Sequence, residues 1–462
     1  MTDARLVAKA RRVWPHLYAE ATSGGVWVPY RHLKFASIAI AKAMWQAEVS
    51  GVGARIVVTM PPRHGKSEFI SHRVPTWFLD NWPERHVILT TYETEFAIHW
   101  GRKVRNTIQE TPGINVRIAS DSSAAQRWST SEGGGMVTAG VGGPITGRGG
   151  HLIVVDDPHK NWQEAQSQTI RDGIIDWFNS TLYTRAEPGA TIIVLQTRWH
   201  ERDLIGYLLA EHGDNWIEVR LPALAEDGDP LGRIQGEALC RDRYDEIALS
   251  RIQRAVGSMI WAGLYQQRPA PAEGRLVKLE WWRYHHGIVP GAHLVIQSWD
   301  TAFKKGEENA YTVGQTWVEG AAGYYLVDQV RDRYEYPELK RAIKMAANKW
   351  HPHSILIEDK ASGQSAVQEL RRDTRLPVIA VAPGVGDKLV RAQLQAPQIE
   401  AGRVYLPDNA SWLQDYLHEW LHFPSSEFSD QVDATSQALD YLAARKGRVV
   451  TGAKILQGGR QN

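Results

Sequence analysis

Apolar positions in this chain gather into short runs separated by stretches of helical spacing. The run Arg55-Ile56-Val57-Val58-Thr59 has the length and β-branched content of a buried strand, and 68–77 follows it with apolar residues three and four apart. Further strands are predicted over 85–92, 151–155 and 190–195, with a helix over 93–109. Such alternation predicts a parallel α/β sheet. Ahead of it, 6–21 and 32–49 read as helices, the first kinked by Pro15. They are expected to pack against the sheet edge, with a lid over a bound base as the alternative. A stretch rich in Gly, Pro and Asp, 226–236, marks the end of this domain, and 266–271 reads as a linker after a helix over 247–262.

A second pattern starts at 293. Strands are predicted over 293–300, 310–318 and 323–331, the last two forming a hairpin, followed by a helix over 337–350 and a strand over 354–359. A helix over 363–372, a short strand over 377–381 and three helices complete it. Antiparallel strands followed by alternating strands and helices suggest an RNase H-like sheet. The expected domains are 1–230, a linker or subdomain over 231–285, a second α/β domain over 286–445, and a basic flexible tail over 446–462.

Composition narrows the class. At 43% hydrophobic and 23% charged residues the chain is ordinary for a globular enzyme, and its net charge of +1 supplies no global field, so any nucleic-acid contact must come from local basic surfaces. A single cysteine, Cys240, leaves no internal disulfide and suits a reducing cytosol. No apolar run reaches signal-peptide or bilayer-spanning length, so a soluble intracellular protein is expected. The 19 tryptophans read as core aromatics before base-stacking platforms.

Candidate chemistry sits at strand ends. Met60-Pro61-Pro62-Arg63-His64-Gly65-Lys66-Ser67 lies where the first strand gives way to a helix. Gly-Lys-Ser at such a junction suits a phosphate cradle: amides of the loop and helix N-terminus face the anion, Lys66 adds a point charge and Ser67 can ligate Mg²⁺. The consensus places a glycine where this chain has Met60, so the loop is deviant. The strand His151-Leu152-Ile153-Val154-Val155 ends in Asp156 and Asp157. Asp156 is the candidate Mg²⁺ acid, and Asp157 the group that orients or deprotonates an attacking water, one methylene shorter than the usual Glu. Gln196 and Thr197, ending the next strand, are placed to sense a γ-phosphate; a satisfied polar strand end is the bland alternative. The glycine-rich passage 133–150 reads as hairpin turns, with one reservation about Arg148.

In the second domain, Asp300 ends the first strand, Glu358 and Asp359 end the fourth, and Asp430 and Asp433 share a face near the start of the final helix. Carboxylates at these ends suit two divalent ions ~4 Å apart acting on a phosphodiester. Lys360 and Lys388 are candidates for backbone phosphates, though isolated lysines are usually solvated.

The order of these motifs resembles the large terminase subunit of tailed bacteriophages. The resemblance rests on the phosphate loop, Ile145-Thr146-Gly147-Arg148-Gly149, Val154-Val155-Asp156-Asp157-Pro158, Gln196-Thr197-Arg198-Trp199-His200, Gln266-Gln267-Arg268-Pro269, Glu358-Asp359 and Ser429-Asp430-Gln431-Val432-Asp433-Ala434. It implies an additional-strand phosphate-loop ATPase joined to an RNase H-like nuclease, driving double-stranded DNA into the prohead and cutting the concatemer. ATP with Mg²⁺, and Mg²⁺ or Mn²⁺ at the nuclease, are the implied cofactors. Implied nucleotide-site residues are Arg63, His64, Gly65, Lys66, Ser67, Asp156, Gln196, Thr197 and Arg198, with Asp157 and Arg148 catalytic. Asp300, Glu358 and Asp433 form the implied nuclease triad, with Asp359 and Asp430 as near alternatives. A portal, a small terminase subunit, a pentameric ring on the portal formed from monomers in solution, and action in the host cytoplasm complete the expectation. Another phosphate-loop translocase or helicase with a degenerate nuclease, and an assembly factor that only binds ATP, are the rival readings.

Overall fold

The computed structural model describes residues 10–120, 124–145, 147, 149–269, 276–301, 311–359, 361–382 and 387–457. The chain divides into two compact units, Met1–Pro271 and Ala272–Asn462, so the stretch 231–285 is shared between them. Residues through Tyr265 form a small satellite core of Ala223, Ala238, Leu249 and Trp261 in the first unit.

The first unit is built on seven strands: β1 (Arg55–Thr59), β2 (His86–Thr91), β3 (Arg127–Ser129), β4 (Gly135–Gly140), β5 (Gly150–Asp156), β6 (Ala186–Gln196) and β7 (Ile217–Arg220), in the order β3-β4-β2-β5-β6-β1-β7. Every pairing is parallel except the β3–β4 hairpin. β6 is wedged between the strand that feeds the phosphate loop and the strand that delivers the acids, pairing with both. That inserted strand is what an additional-strand ATPase requires. Because β1, β5 and β6 run parallel, Thr59, Asp156 and Gln196 all arrive at the same edge, where ligands of such sheets collect.

The helix Arg31–Ser50 turns Leu33, Ile40 and Met44 into one core with Ile56, Val58, Phe69 and Trp77. Each such side chain taken fully out of water contributes roughly 1.5–3 kcal/mol, enough to fix the helix on the sheet face. Pro15 opens the helix Pro15–Thr22 after a break at Trp14, as its missing amide dictates. The segment after the phosphate loop is a π-turn, Glu68–Arg73, before Val74–Asn81 becomes an ordinary α-helix.

The second unit also holds seven strands: β8 (Arg283–His285), β9 (Leu294–Asp300), β10 (Thr312–Glu319), β11 (Tyr324–Asp332), β12 (Ser354–Glu358), β13 (Val378–Val381) and β14 (Val404–Pro407), ordered β13-β12-β9-β10-β11-β14-β8. β9, β10 and β11 are antiparallel, and β12 and β13 add in parallel beyond β9. The close of the unit is not three helices alone, because β14 intervenes and pairs with β11 and β8. The last helix, Asp430–Gln457, docks through buried polar bonds: Ser298 Oγ donates to Ala434 O at 2.7 Å and Gln315 Nε2 to Gln431 O at 3.1 Å. It extends into the segment expected as a tail. Trp77, Trp128, Trp299, Trp317 and Trp420 are all fully buried, each within the core of its own unit.

Candidate functional site

In the first unit, two strand ends and one loop converge. Ser67 Oγ donates to Asp156 Oδ1 at 3.0 Å, and Ser71 Oγ, one turn on, donates to Asp156 Oδ2 at 2.7 Å. Both carboxylate oxygens are thus oriented by hydroxyls. Asp156 has no solvent exposure, and burial, then the adjacent charge of Asp157, pushes its pKa up against the pull of Lys66 and the two serines. Lys66 Nζ is paired with Asp157 Oδ2. Burial acts to lower the lysine pKa, but Asp157 and Asp156 outweigh it, so the ammonium is held charged. The other oxygen of Asp157 accepts from Thr197 N at 3.0 Å and Thr197 Oγ1 at 3.5 Å. Asp157 itself has φ 45°, a left-handed backbone that costs energy for a residue with a Cβ and is typical of functional sites.

Gln196, between the ends of β1 and β5, is 1% exposed, and neither its Oε1 nor its Nε2 has a hydrogen-bond partner among the described residues. A buried primary amide without partners is costly unless a ligand or water completes it. Arg63, with φ 63°, is exposed at the loop tip, and Gly65, with φ 89°, makes the turn before Lys66. His64 contributes backbone to the loop while its ring faces protein: Nδ1 donates to Pro62 O at 2.9 Å, and His32 Nε2 donates to His64 O at 2.8 Å. Burial pushes both imidazoles down to about 4, so they are neutral. Arg198 is bound by neighbouring residues of its own turn. Its Nε donates to both oxygens of Asp203 at 2.9 and 3.0 Å, and Nη2 to the carbonyls of His200 and Glu201. These bonds clamp the turn before the helix Leu204–His212. Arg148 and Lys360 lie outside the described residues.

In the second unit, β9 and β12 are neighbours with Trp299 opposite Ile357, so Asp300 and Glu358 emerge side by side. The helix Asp430–Gln457 brings Asp433 and Asp430 over the same edge. Burial, then Asp433, Asp430 and Glu358, push the Asp300 pKa up to about 8 against the pull of Lys388. Asp359 is exposed, and the charges that act most on Asp300 are Asp433, Lys388, Asp430 and Glu358. Two cations lie among the acids. Lys388 Nζ is 2.6 Å from Asp433 Oδ2 and donates to Ser429 Oγ at 2.8 Å; Arg391 Nη2 donates to Asp433 Oδ1 at 2.7 Å, with Nη1 3.9 Å from Glu358 Oε1. Lys388 is therefore engaged with the acids and not simply solvated. Among the described residues no group of three or more His, Cys, Asp or Glu is already placed to hold a metal ion. The donor set nevertheless fits hard divalent ions: it is all carboxylate oxygen, and the buried Asp430 Oδ2 has no hydrogen-bond partner.

The comparisons agree with this division. A model described as the N-terminal part of the T4likevirus-type terminase large subunit matches residues 57–283, and one described as the terminase RNaseH-like domain matches 297–442. The chain belongs to the terminase large-subunit family. Large terminases are phage DNA-packaging motors with an ATPase followed by a nuclease, and both parts are present here in that order. Among solved structures, the large terminase of a thermophilic bacteriophage aligns over 87% of this chain and 98% of its own, at 12% identity and a TM-score of 0.53. The complexes of that phage protein with ADP and with ATP-gamma-S align over 84% and 94%, at 12% identity and TM-scores of 0.51. This likeness establishes a shared fold. The search of curated proteins found no match. Among the described residues of this terminase subunit, no helix is long and apolar enough to cross a membrane.

Sequence reasoning passes over Ser71, although its spacing of four from Ser67 on a helix is a usable signal. Arg391, three residues after Lys388, is the other omission.

Proposed function

We infer that Lys66 and Ser67 bind the phosphates and Mg²⁺ of ATP, that Asp156 holds the metal, and that Asp157 activates water once the nucleotide draws Lys66 away from it. The observation that carries this is the closed set of contacts joining Lys66, Ser67, Asp156, Asp157 and Thr197 across three strand ends. A γ-phosphate entering this set competes with Asp157 for Lys66 and releases the carboxylate toward Thr197, on the strand that also presents the unpartnered Gln196. Arg63 remains free at the loop tip to act in cis, and Arg148 is the candidate for action across a subunit interface. The recorded ADP and ATP-gamma-S complexes of the thermophilic phage protein support a nucleotide as ligand.

In the second unit, Asp300, Glu358 and Asp433, with Asp430, would hold Mg²⁺ or Mn²⁺. Bound ions supply an activated water and stabilise the leaving 3′-oxygen of a DNA strand. The chain's own contribution is a partly buried cluster of carboxylates at a sheet edge, with Lys388 and Arg391 alongside. Concatemeric double-stranded DNA is what the ATPase moves and the nuclease cuts. The portal, a small terminase subunit and further copies of this chain, as a pentameric ring, are the partners in the host cytoplasm. In the full-length chain, Lys66→Ala should abolish ATP turnover and spare Mn²⁺-dependent plasmid nicking, while Asp300→Asn should do the reverse. Nicking that survives Asp300→Asn, or turnover that survives Lys66→Ala, would sink the assignment.

A further inference from the structure

Lys388 and Arg391 stand in the first turn of the helix Lys388–Glu400, three residues apart, and no helical position of that turn carries an acidic residue. Cations in a first turn run against the helix dipole, so helix stability does not account for them. The Asp387 side chain already caps the helix by accepting from Val390 N at 2.9 Å. What does account for them is Asp433: Arg391 takes its Oδ1 and Lys388 its Oδ2, at 2.7 and 2.6 Å. Both oxygens of the central carboxylate are therefore committed to internal cations. The two cations differ in freedom. The Arg391 side chain is 17% exposed and also faces Glu358, whereas the Lys388 side chain is 44% exposed and its ammonium also donates to Ser429 Oγ at 2.8 Å.

We propose that Lys388 is a displaceable counter-ion of the nuclease site: it occupies the charge position on Asp433 that a divalent ion must take, and metal loading requires it to swing out. This rests on the reading of the acid cluster as the metal site. The consequence is a nuclease biased against metal when DNA is absent. Arg391 stays in place and keeps Asp433 oriented beside Glu358. A displaced Lys388 ammonium, tethered at the rim, is then released to pair with an anionic DNA backbone, so substrate and metal favour the same outward position.

The test measures Mn²⁺ binding to the full-length, nucleotide-free protein by the paramagnetic resonance signal of free Mn²⁺, with no DNA present. Asp300→Asn defines the acid-site component, and circular dichroism checks folding. Lys388→Met should tighten that Asp300-dependent component at least about tenfold. Lys388→Arg, which restores a cation, should return it toward wild type. Asp300-dependent binding of equal or weaker affinity in Lys388→Met would overturn the counter-ion role while leaving the metal site standing. Absence of any Asp300-dependent binding in wild type and Lys388→Met alike would overturn the metal site and the proposal with it.

Discussion

Asp300→Asn is the most discriminating single substitution, because the structure gives it opposite effects on stability and on cutting. The carboxyl ends β9 partly buried, with its pKa up at about 8 in the folded chain against 3.8 for an ordinary aspartate. Between those values the folded protein holds a proton that the unfolded chain has released. Stability therefore falls as pH rises through the window and is level outside it. At pH 7 the distance above the unfolded pKa is about 3 pH units, a cost of about 4 kcal/mol to the metal-free unit at about 1.4 kcal/mol per unit. Asparagine has nearly the same shape and no charge, so the substitution removes that cost. Calorimetry of the full chain in a chelator should show the nuclease transition about 10 °C higher at pH 7, taking about 2–4 °C per kcal/mol for a unit of this size. The gain should shrink toward zero as pH approaches about 4. Adding Mn²⁺ should raise the wild-type transition and leave the variant where it was. A variant that melts at or below wild type in chelator, or a difference indifferent to pH, would refute the account of a buried carboxyl crowded by like charges.

Ser71→Ala leaves one oxygen of the buried Asp156 without its donor, a loss of about 1–3 kcal/mol. It should raise the Mg²⁺ concentration needed for binding of a fluorescent ADP, with Ser71→Thr near wild type. An unchanged Mg²⁺ dependence would make Ser71 a packing residue only. At Gly363 a Cβ would lie 1.9 Å from Glu358 O, so Gly363→Ala should push the end of β12 outward. Nicking should fall at least about tenfold from misplacement alone, with ATP turnover retained; full nicking activity would contradict the tight approach. Arg148→Ala should abolish DNA-stimulated ATP turnover yet be rescued in mixed rings by subunits lacking Lys66, and no rescue at any mixing ratio counts against action in trans.

The long, apolar elements were legible in the sequence because their pattern is local. β1, β5, β9 and β12 each announce themselves by an apolar run, and acids end β5, β9 and β12. β14, Val404-Tyr405-Leu406-Pro407, and β8, Arg283-Tyr284-His285, are different: β14 forms on the edge that β11 offers and β8 on the edge of β14, and four residues ending in proline carry no periodicity of their own. The same limit applies to side chains. Arg198 reads as a coupling residue by position, but Asp203 five residues later captures it in a buried pair, a choice set by the turn geometry and not by spacing along a strand.

The deviant phosphate loop shows how a departure from a motif can be neutral for its chemistry. A glycine is needed in such a loop where φ is positive or where the backbone must approach the ligand. Here the positive φ values fall at Arg63 and Gly65, and Met60 is not among them. Met60 instead is fully buried, in the same core as Leu33, Ile56 and Phe69, so its side chain anchors the loop's first residue to the helix Arg31–Ser50 and to the segment that follows Lys66. The loop therefore keeps its phosphate-facing half, Gly65-Lys66-Ser67, and has rebuilt its entering half as hydrophobic packing. By that argument Met60→Gly should not improve nucleotide binding. It should open a cavity costing about 2–5 kcal/mol, the scale of a truncated core side chain, and loosen the loop's hold on Lys66. A variant with wild-type stability and tighter ADP binding would show that the missing glycine was a defect after all.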